Sequence, residues 1–158
     1  MSSEATRDGA SVRFPPPLVY ALALVAGGAL HWIVPLRLPL AAAGRIAGAV
    51  LAGSLGVAFL AGALGLFRRT GQNPTPWSPT PAIVTTGVYR WSRNPMYVGM
   101  ALVLAAIGLG WANGWLLLAV PVVLAIVYVI AVRHEEAYLA RKFGEEYLAY
   151  ARTTRRWL

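Results

Sequence analysis

Four apolar runs dominate this sequence, at residues 18–34, 46–67, 95–112 and 115–132. Crossing a hydrocarbon core about 30 Å thick takes roughly 17–25 helical residues. Backbone polar groups in lipid must be satisfied inside helices or closed barrels. The runs therefore predict an all-α integral membrane protein with four transmembrane helices.

Composition supports this interpretation. The chain is 58% hydrophobic and 13% charged, whereas soluble domains are about 45–50% apolar and about 25% charged. Its 158 residues suit one domain. The sequence contains no cysteine, which excludes disulfides, thiolate metal ligands and cysteine nucleophiles. We also predict no metal site.

The apolar runs divide the chain into segments. Residues 1–17 have no core-forming pattern and are predicted to be a disordered lead-in. Residues 18–158 are predicted to form a single membrane domain, in which Asn113-Gly114 joins the last two runs as a tight helical hairpin. The tail at residues 133–158 is charged and aromatic, and we expect Gly144 to separate its two short helices.

Glycines recur in and next to the second run at about the spacing of a helical turn. They are Gly44, Gly48, Gly53, Gly56, Gly62 and Gly65. Such a series favours close helix packing, here within one molecule. Arg45 lies at the start of the same run and is expected to extend toward the membrane surface.

Basic residues are distributed unevenly around the runs. The chain has fourteen basic and six acidic residues, a net charge of +8. Because the arginines flank apolar runs, they indicate membrane topology rather than a nucleic-acid partner. With four spans, all basic residues except Arg37 and Arg45 share one side. These are Arg7, Arg13, Arg68, Arg69, Arg90, Arg93, Arg133, Arg141, Lys142, Arg152, Arg155 and Arg156. The positive-inside rule then places both termini and the loop at 68–95 in the cytoplasm.

The loop at 68–95 ends in a candidate ligand site. Asn94 followed by Pro95 is typical of a helix N-cap with proline at the first helical position. A helix that starts here exposes backbone N–H groups and a positive dipole end, which suits an anion. Arg90 and Arg93 add positive charge. The alternative is that these residues only start a helix and set topology.

Acidic residues are concentrated in the tail. Glu135 and Glu136 follow the fourth run, and Tyr147 and Tyr150 lie three residues apart on one face of the last helix. A glutamate pair at a membrane surface can accept hydrogen bonds from ribose hydroxyls or from an amino group. The alternative is a solvated face with ordinary Arg–Glu pairs, which stabilise little.

Several of these segments occur in a specific order. They are Gly87-Val88-Tyr89, Arg93-Asn94-Pro95-Met96-Tyr97-Val98-Gly99, Glu135-Glu136-x-x-Leu139, Phe143-Gly144-x-x-Tyr147-x-x-Tyr150 and Arg156. In this order and spacing, residues 72–158 resemble the isoprenylcysteine carboxyl methyltransferase and phospholipid methyltransferase superfamily. The resemblance implies an integral membrane enzyme that uses S-adenosylmethionine. It also implies a cofactor site formed by the cytoplasmic loop and the C-terminal helical tail.

The resemblance further implies which residues bind the cofactor. They are Pro81, Ala82, Ile83, Val84, Tyr89, Asn94, Pro95, Met96, Tyr97 and Glu135. Asn94 replaces the histidine of the carboxyl methyltransferases, and their substrate-facing arginine falls at Ala131. Arg133 points about 200° around a helix from that position, which argues against a prenylcysteine carboxylate as the acceptor.

We therefore predict S-adenosylmethionine-dependent methyl transfer to a lipophilic acceptor at the cytoplasmic membrane face. The acceptor group is open among a carboxylate, a thiol and an amine or lipid headgroup. A sulfonium methyl group is already activated, and good orientation can supply about 7–11 kcal/mol of the barrier, so no nucleophilic side chain is required. Glu136, His134 and Arg133 are the candidate catalytic residues, the first two as a general base for an amine or alcohol.

Two other classes remain open. A small four-span transporter has similar length and topology, but an ion-coupled carrier usually needs an acidic residue within a span, and none of the four runs contains one. A non-catalytic membrane scaffold is disfavoured by Tyr89, Tyr97 and Glu135. The predicted partners are a lipophilic small-molecule or lipid acceptor and membrane lipids, with no obligate protein partner. The arginine-rich and alanine-rich composition favours a bacterial inner membrane protein.

Overall fold

The computed structural model describes residues 9, 10, 12, 14–75 and 77–158. Residues 1–8, 11 and 13, on which much of the predicted disordered lead-in falls, lie outside the described residues. Ala10 and Val12 are buried in the main hydrophobic cluster. The first helix already begins at Pro16. The described part of the lead-in therefore packs against the rest of the fold.

The described chain folds into six α-helices. They are α1 (Pro16–Ile33), α2 (Ala42–Thr70), α3 (Pro95–Gly110), α4 (Gly114–Val127), α5 (Arg133–Phe143) and α6 (Glu145–Thr153). A 3-10 turn at Gly87–Arg90 precedes α3, and a π turn at Tyr128–Val132 joins α4 to α5 without a break. No strand is present among the residues described, which confirms the predicted all-α fold.

Three continuous helices of the described chain are long and apolar enough to cross a membrane. They are Pro16–Ile33, Ala42–Thr70 and Gly114–Phe143. α3 is also apolar but has 16 residues, about 24 Å at 1.5 Å per residue. It ends two residues before the predicted boundary at 112 because the chain turns there, with Ala112 at a φ of 54°. The fourth span therefore stays a prediction.

α2 is longer at both ends than the predicted run at 46–67. Its last turn contains Arg68 and Arg69, and Gly71 ends it with a φ of 66°. Glycine adopts this left-handed conformation without the steric cost of a β-carbon. Basic side chains in the last turn also suit the negative end of the helix dipole. The apolar run thus underestimates a helix whose polar end continues past it.

The glycine series of α2 packs in part against α3, as predicted. A β-carbon built on Gly56 would lie 2.8 Å from the carbonyl oxygen of Gly99, and one built on Gly99 would lie 2.9 Å from that of Gly56. The two backbones therefore touch at this crossing. Gly44 and Gly65 have no neighbouring atom within 4 Å of such a β-carbon, so they do not belong to the contact.

Asn113 fastens the helical hairpin that joins α3 to α4, the tight turn that the sequence predicts. Its side-chain oxygen accepts hydrogen bonds from the backbone N–H groups of Trp115 (3.0 Å) and Leu116 (3.3 Å), and its Nδ2 donates to the carbonyl of Gly27 in α1 (3.0 Å). Arg45 donates to the carbonyls of Leu109 and Gly110 at 3.1 and 3.2 Å. The turn is therefore held to both α1 and α2.

The first turns of α1 and α3 lie together at the other end of the bundle, where the candidate site lies. The hydroxyl of Tyr20 donates to the backbone carbonyl of Tyr97 at 2.9 Å in the buried core. The π turn before α5 places Ala131 and Val132 in that core. Gly144, with a φ of 53°, then separates α5 from α6 as predicted.

Candidate active site

A cavity of about 300 Å³ lies at this end of the bundle, where α3 and α5 begin. The start of α1, the loop at 72–84 and one face of α6 complete its wall. Its volume is at the small end of the range of about 300–1,000 Å³ that is usual for small-molecule sites. The cavity is therefore formed by segments that are distant from one another in the sequence.

The structure brings together most of the predicted cofactor residues around this cavity. Those that line it are Ala82, Ile83, Val84, Tyr89, Asn94, Pro95, Met96, Tyr97 and Glu135. Pro81 is exposed and does not line it. Of the candidate catalytic residues, Glu136 lines the cavity, whereas Arg133 and His134 do not.

Glu135 and Tyr97 form the polar centre of the cavity. The hydroxyl of Tyr97, in the first turn of α3, donates to Oε1 of Glu135, in the first turn of α5, at 2.5 Å. Charge-assisted hydrogen bonds of this length are among the strong ones. The pair fixes the orientation of a carboxylate that remains at the cavity wall.

Glu136 is engaged by two arginines instead. Arg156 donates to both of its oxygens, from Nε at 2.9 Å and from Nη2 at 3.0 Å, and Nη2 of Arg93 lies 3.3 Å from Oε1. The hydrogen bonds to Glu136 raise the pKa of the Arg156 guanidinium above its usual value. The carboxylate of Glu136 is therefore already neutralised by protein cations.

Asn94 occupies the predicted helix start but does not use its side chain as a cap. Pro95 is the first residue of α3, yet no side-chain hydrogen bond caps that helix. Nδ2 of Asn94 donates instead to the carbonyl of Arg156 at 3.0 Å, and its backbone N–H donates to Oγ of Ser92 at 3.0 Å. The predicted N-cap position of Asn94 before Pro95 is therefore confirmed, although its side chain bonds to a distant carbonyl and not to the first N–H groups of α3.

Of the two arginines predicted to add positive charge at this helix start, one lines the cavity and the other does not. Arg90 is exposed and does not line the cavity. Arg93 lines it, and its Nη1 donates weakly to the carbonyl of Ala151 at 3.5 Å while its Nη2 pairs with Glu136. Its Nε is buried and has no hydrogen-bond partner among the described residues. One N–H group in the site therefore remains unsatisfied by the protein.

Arg133 and His134 point away from the site. Nε of Arg133 donates to Nε2 of His134 at 3.4 Å on the surface. Ala131, at the position where the resemblance places a substrate-facing arginine, is fully buried. The exposed Arg133 therefore does not supply that missing cation.

Tyrosine rings form one wall of the cavity. The hydroxyl of Tyr150 donates to the carbonyl of Tyr89 at 2.7 Å, and the rings of Tyr147 and Tyr150 are 6.3 Å apart. Burial raises the pKa of Tyr89 well above its usual range, helped by the nearby Glu135 carboxylate. Burial also raises the pKa of Tyr147 to about 12. Both phenols therefore stay neutral at physiological pH and present aromatic faces that attract cations.

Several residues that line the cavity are not among the site residues predicted from the sequence. Phe67, Met100, Tyr138 and Leu139 contribute to its wall, as do Ala10 and residues 15–17. Tyr138 follows Glu135 by three residues, and that helical spacing places both on one face, so it was predictable. Phe67 ends an apolar run, where nothing in the local pattern separates a cavity residue from a lipid-facing one.

Comparisons with known proteins agree with the geometry. The phospholipid methyltransferase family model matches residues 49–146, more than half of the chain. An uncharacterized protein of Haemophilus influenzae is 36% identical over 63 residues, which are 40% of this chain and 100% of that protein. The protein-S-isoprenylcysteine O-methyltransferases of Mus musculus and Rattus norvegicus are each 35% identical over 81 residues, which are 46% of this chain but 26% of either enzyme. No solved structure matches this chain.

Proposed function

Because this chain belongs to the phospholipid methyltransferase family, we propose that it transfers a methyl group from S-adenosylmethionine to a lipophilic acceptor. The family and the isoprenylcysteine relatives indicate a membrane methyltransferase. The methyl donor, the acceptor class and the cytoplasmic position of the site are the parts that we propose.

The side chains around the cavity fit the functional groups of S-adenosylmethionine. Glu135 presents a carboxylate that can accept from an ammonium group or from ribose hydroxyls. Arg93 retains a buried N–H without a partner, which suits a nearby anionic group. The neutral rings of Tyr89, Tyr147 and Tyr150 suit a positively charged sulfur.

The chain's own residues bind and orient the reactants rather than attack them. When bound, S-adenosylmethionine supplies an activated methyl group on a sulfonium. Tyr97 holds the Glu135 carboxylate in one orientation, and α6 covers the cavity with Tyr147 and Tyr150, which keeps water out. Alignment of two bound reactants can by itself supply about 7–11 kcal/mol of the barrier.

The cavity offers few candidates for a general base. Both oxygens of Glu136 accept from arginine, and His134 lies outside the cavity. This arrangement favours an acceptor that is already ionised, such as a thiolate or carboxylate, over an alcohol, which needs a base to remove its proton. An amine headgroup is the third class to compare.

The membrane side of the cavity supports a lipophilic acceptor. Pro16 at the start of α1, Met100 of α3 and Leu139 of α5 are apolar and line it. Pro16 and Met100 belong to the apolar helices α1 and α3, whereas Leu139 is an apolar residue of the charged helix α5. We propose that the acceptor's hydrocarbon part lies along α1 and α3 while its reactive group reaches Tyr97 and Glu135.

The observation that supports this function is the Tyr97–Glu135 pair inside a tyrosine-lined cavity. The test is methyl transfer from S-adenosylmethionine with a radiolabelled methyl group, using protein in lipid nanodiscs. The acceptors are alkyl carboxylates, alkyl thiols, alkyl alcohols and phospholipids with primary amine headgroups. We expect transfer to at least one lipophilic class, and at least tenfold less with Glu135→Gln. Absence of both transfer and S-adenosylhomocysteine binding in the folded wild-type protein would contradict the proposal.

A further inference from the structure

The surroundings of Glu136 differ from those of its neighbour Glu135. Glu136 is 20% exposed and is held by Arg156, which is 39% exposed, and by Arg93, which is 13% exposed. Two of the contacts form a bidentate pair, the geometry in which arginine and carboxylate bind most specifically. To take a proton from an acceptor, Glu136 would first have to leave these arginines.

Arg156 belongs to the C-terminal strap, which we define as residues 154–157. The contact with Glu136 therefore also holds the strap. The backbone carbonyl of Arg156 accepts from Oγ of Ser92 at 3.2 Å and from Nδ2 of Asn94 at 3.0 Å. The backbone N–H of Arg93 donates to the carbonyl of Arg155 at 2.9 Å. The strap is thus fastened to the loop that leads directly into α3.

The strap also borders the hydrophobic core. Thr154 is buried, Trp157 packs against the main hydrophobic cluster, and the Arg156 guanidinium lies 5.0 Å from the ring centre of Tyr128. α6, whose tyrosines line the cavity, lies between Gly144 and this strap, and it also bonds to Tyr89 through Tyr150 and to Arg93 through the carbonyl of Ala151. Loss of the strap's contacts would therefore weaken the attachment of one end of the tyrosine wall.

Two parallel links consequently connect the start of α3 to the start of α5. One joins Tyr97 to Glu135, and the other joins Arg93 to Glu136, and all four residues line the cavity. Because Arg93 precedes Tyr97 by four residues, the second link limits how the first can move. Glu136 lies where α3, α5 and the strap meet.

We propose that Glu136 is a positioning residue of the methyl-transfer site and not its general base. It holds the strap through Arg156 and thereby keeps Tyr147 and Tyr150 against the ligand opposite Glu135. The ligand part of this inference rests on the proposed function, whereas the fastening of the strap does not.

The test compares Glu136→Gln with the matched variant Glu145→Gln. Glu145 lies in α6 and pairs with Arg152 at 3.3 Å, but the two side chains are 82% and 65% exposed, so this pair contributes little. Hydrogen exchange of residues 145–157 and S-adenosylhomocysteine affinity are measured in nanodiscs. We expect Glu136→Gln to speed exchange and to weaken binding, each by about tenfold, the size of one charged hydrogen bond. Glu145→Gln changes either by less than twofold.

A double-mutant cycle then tests whether Glu136 acts through Arg156. If it does, Glu136→Gln combined with Arg156→Gln weakens binding no further than either change alone. Arg156→Lys keeps the charge but loses the bidentate fork, so it gives an intermediate loss. Saturating cofactor should restore the single-turnover rate of Glu136→Gln to within about threefold of wild type.

Several outcomes would overturn the inference. One is a Glu136→Gln protein whose S-adenosylhomocysteine affinity and hydrogen exchange equal those of wild type but whose single-turnover rate is lost. That result would identify Glu136 as a general base. Another is full additivity in the cycle. If Glu136→Gln does not fold, wild-type exchange and affinity in Arg156→Lys overturn it equally. A wild-type protein that neither binds the product nor transfers methyl contradicts the proposed function instead, while the exchange comparison still decides the role of the strap.

Discussion

The carboxylate of Glu135 accepts a hydrogen bond from the Tyr97 hydroxyl at 2.5 Å, and four more tyrosines, Tyr89, Tyr138, Tyr147 and Tyr150, line the same cavity. At the scale of single residues, its carboxyl group is the feature that a bound ammonium or ribose group would use. Glu135→Gln keeps the shape and removes the charge. We expect the affinity for S-adenosylhomocysteine, measured by calorimetry, to fall roughly 10- to 150-fold, because a charged hydrogen bond contributes about 1.5–3 kcal/mol.

Two further variants separate this effect from general disturbance. Tyr97→Phe removes the hydroxyl that orients Glu135 but keeps the charge, so its loss of affinity should be the smaller one. Glu146→Gln changes an exposed glutamate of α6 that does not line the cavity and should bind as wild type does. Unchanged affinity in a folded Glu135→Gln protein would place the cofactor elsewhere.

Single residues also mark how far the sequence alone could lead. Asn94 was correctly predicted to precede α3, because Asn-Pro is a local pattern for a helix start. The use of its side chain was not predictable, since its partner is the carbonyl of Arg156, 62 residues away. The contacts of Glu136 were not predictable for the same reason, because its two arginines lie far from it in the sequence. Without those contacts, Glu136 is a candidate general base.

At the scale of the helices, α2 and α3 approach each other backbone to backbone where they cross at Gly56 and Gly99. A β-carbon on Gly56 would lie 2.8 Å from the carbonyl oxygen of Gly99 and 2.9 Å from a methyl group of Val103. Since overpacking typically costs about 1–3 kcal/mol, Gly56→Ala should lower the melting temperature. Tryptophan fluorescence in detergent would record the transition, because the chain has six tryptophans.

Gly65→Ala is the matched control on the same helix. Among the described residues, no atom outside the neighbouring backbone of α2 lies within 4 Å of a β-carbon at Gly65, and alanine is the better helix former. Its melting temperature should equal or exceed that of wild type. If both variants melt alike, the crossing of α2 and α3 is not as close as the structure has it.

Helices were predictable where local chemistry defines their ends. The α3–α4 hairpin follows from Asn113-Gly114, because a buried asparagine can cap α4 with its side chain. The π turn at Tyr128–Val132 has no such local pattern: it lies inside an apolar run that reads as continuous α-helix. Its position next to the site matches the frequent occurrence of π turns at functional sites.

At the scale of the whole molecule, α3 extends alongside α1 from one end of the bundle to the other. Tyr20 of α1 contacts the start of α3, and Gly27 of α1 contacts Asn113 just after its end. Trp115 and Gly114, beyond the same turn, bond to the carbonyls of Val34 and Leu36 in the α1–α2 loop. If α1 crosses the membrane, α3 is therefore positioned to cross it too.

This geometry gives a direct topological prediction. Four spans leave both termini on one side, whereas three spans leave them on opposite sides. The chain has no cysteine, so Ser3→Cys, Leu40→Cys and Arg155→Cys each provide one label site. In intact cells an impermeant maleimide should label only position 40, because the positive-inside rule predicts that the basic ends lie in the cytoplasm. Labelling of position 155 but not position 3 from outside would establish three spans.

The path of the acceptor also depends on the molecule as a whole. The cavity opens among polar loops on one side, but Pro16 and Met100 continue its wall into the apolar helices α1 and α3. None of the apolar runs contains an acidic residue that would line a polar route. An acceptor with a hydrocarbon chain can therefore reach Tyr97 and Glu135 from the lipid, whereas a short polar one gains nothing from these walls.

Chain length should consequently control turnover. Each methylene that becomes buried contributes about 0.8 kcal/mol, or roughly fourfold in affinity. Across acceptors that share one reactive group, kcat/KM should rise with each added methylene until the apolar wall is covered, and then level off. Partitioning into the nanodisc is measured separately, so that the rise reflects the protein rather than the lipid concentration of the acceptor. A flat series after that correction, or equal turnover of a short water-soluble acceptor, would show that the acceptor reaches the cavity from water.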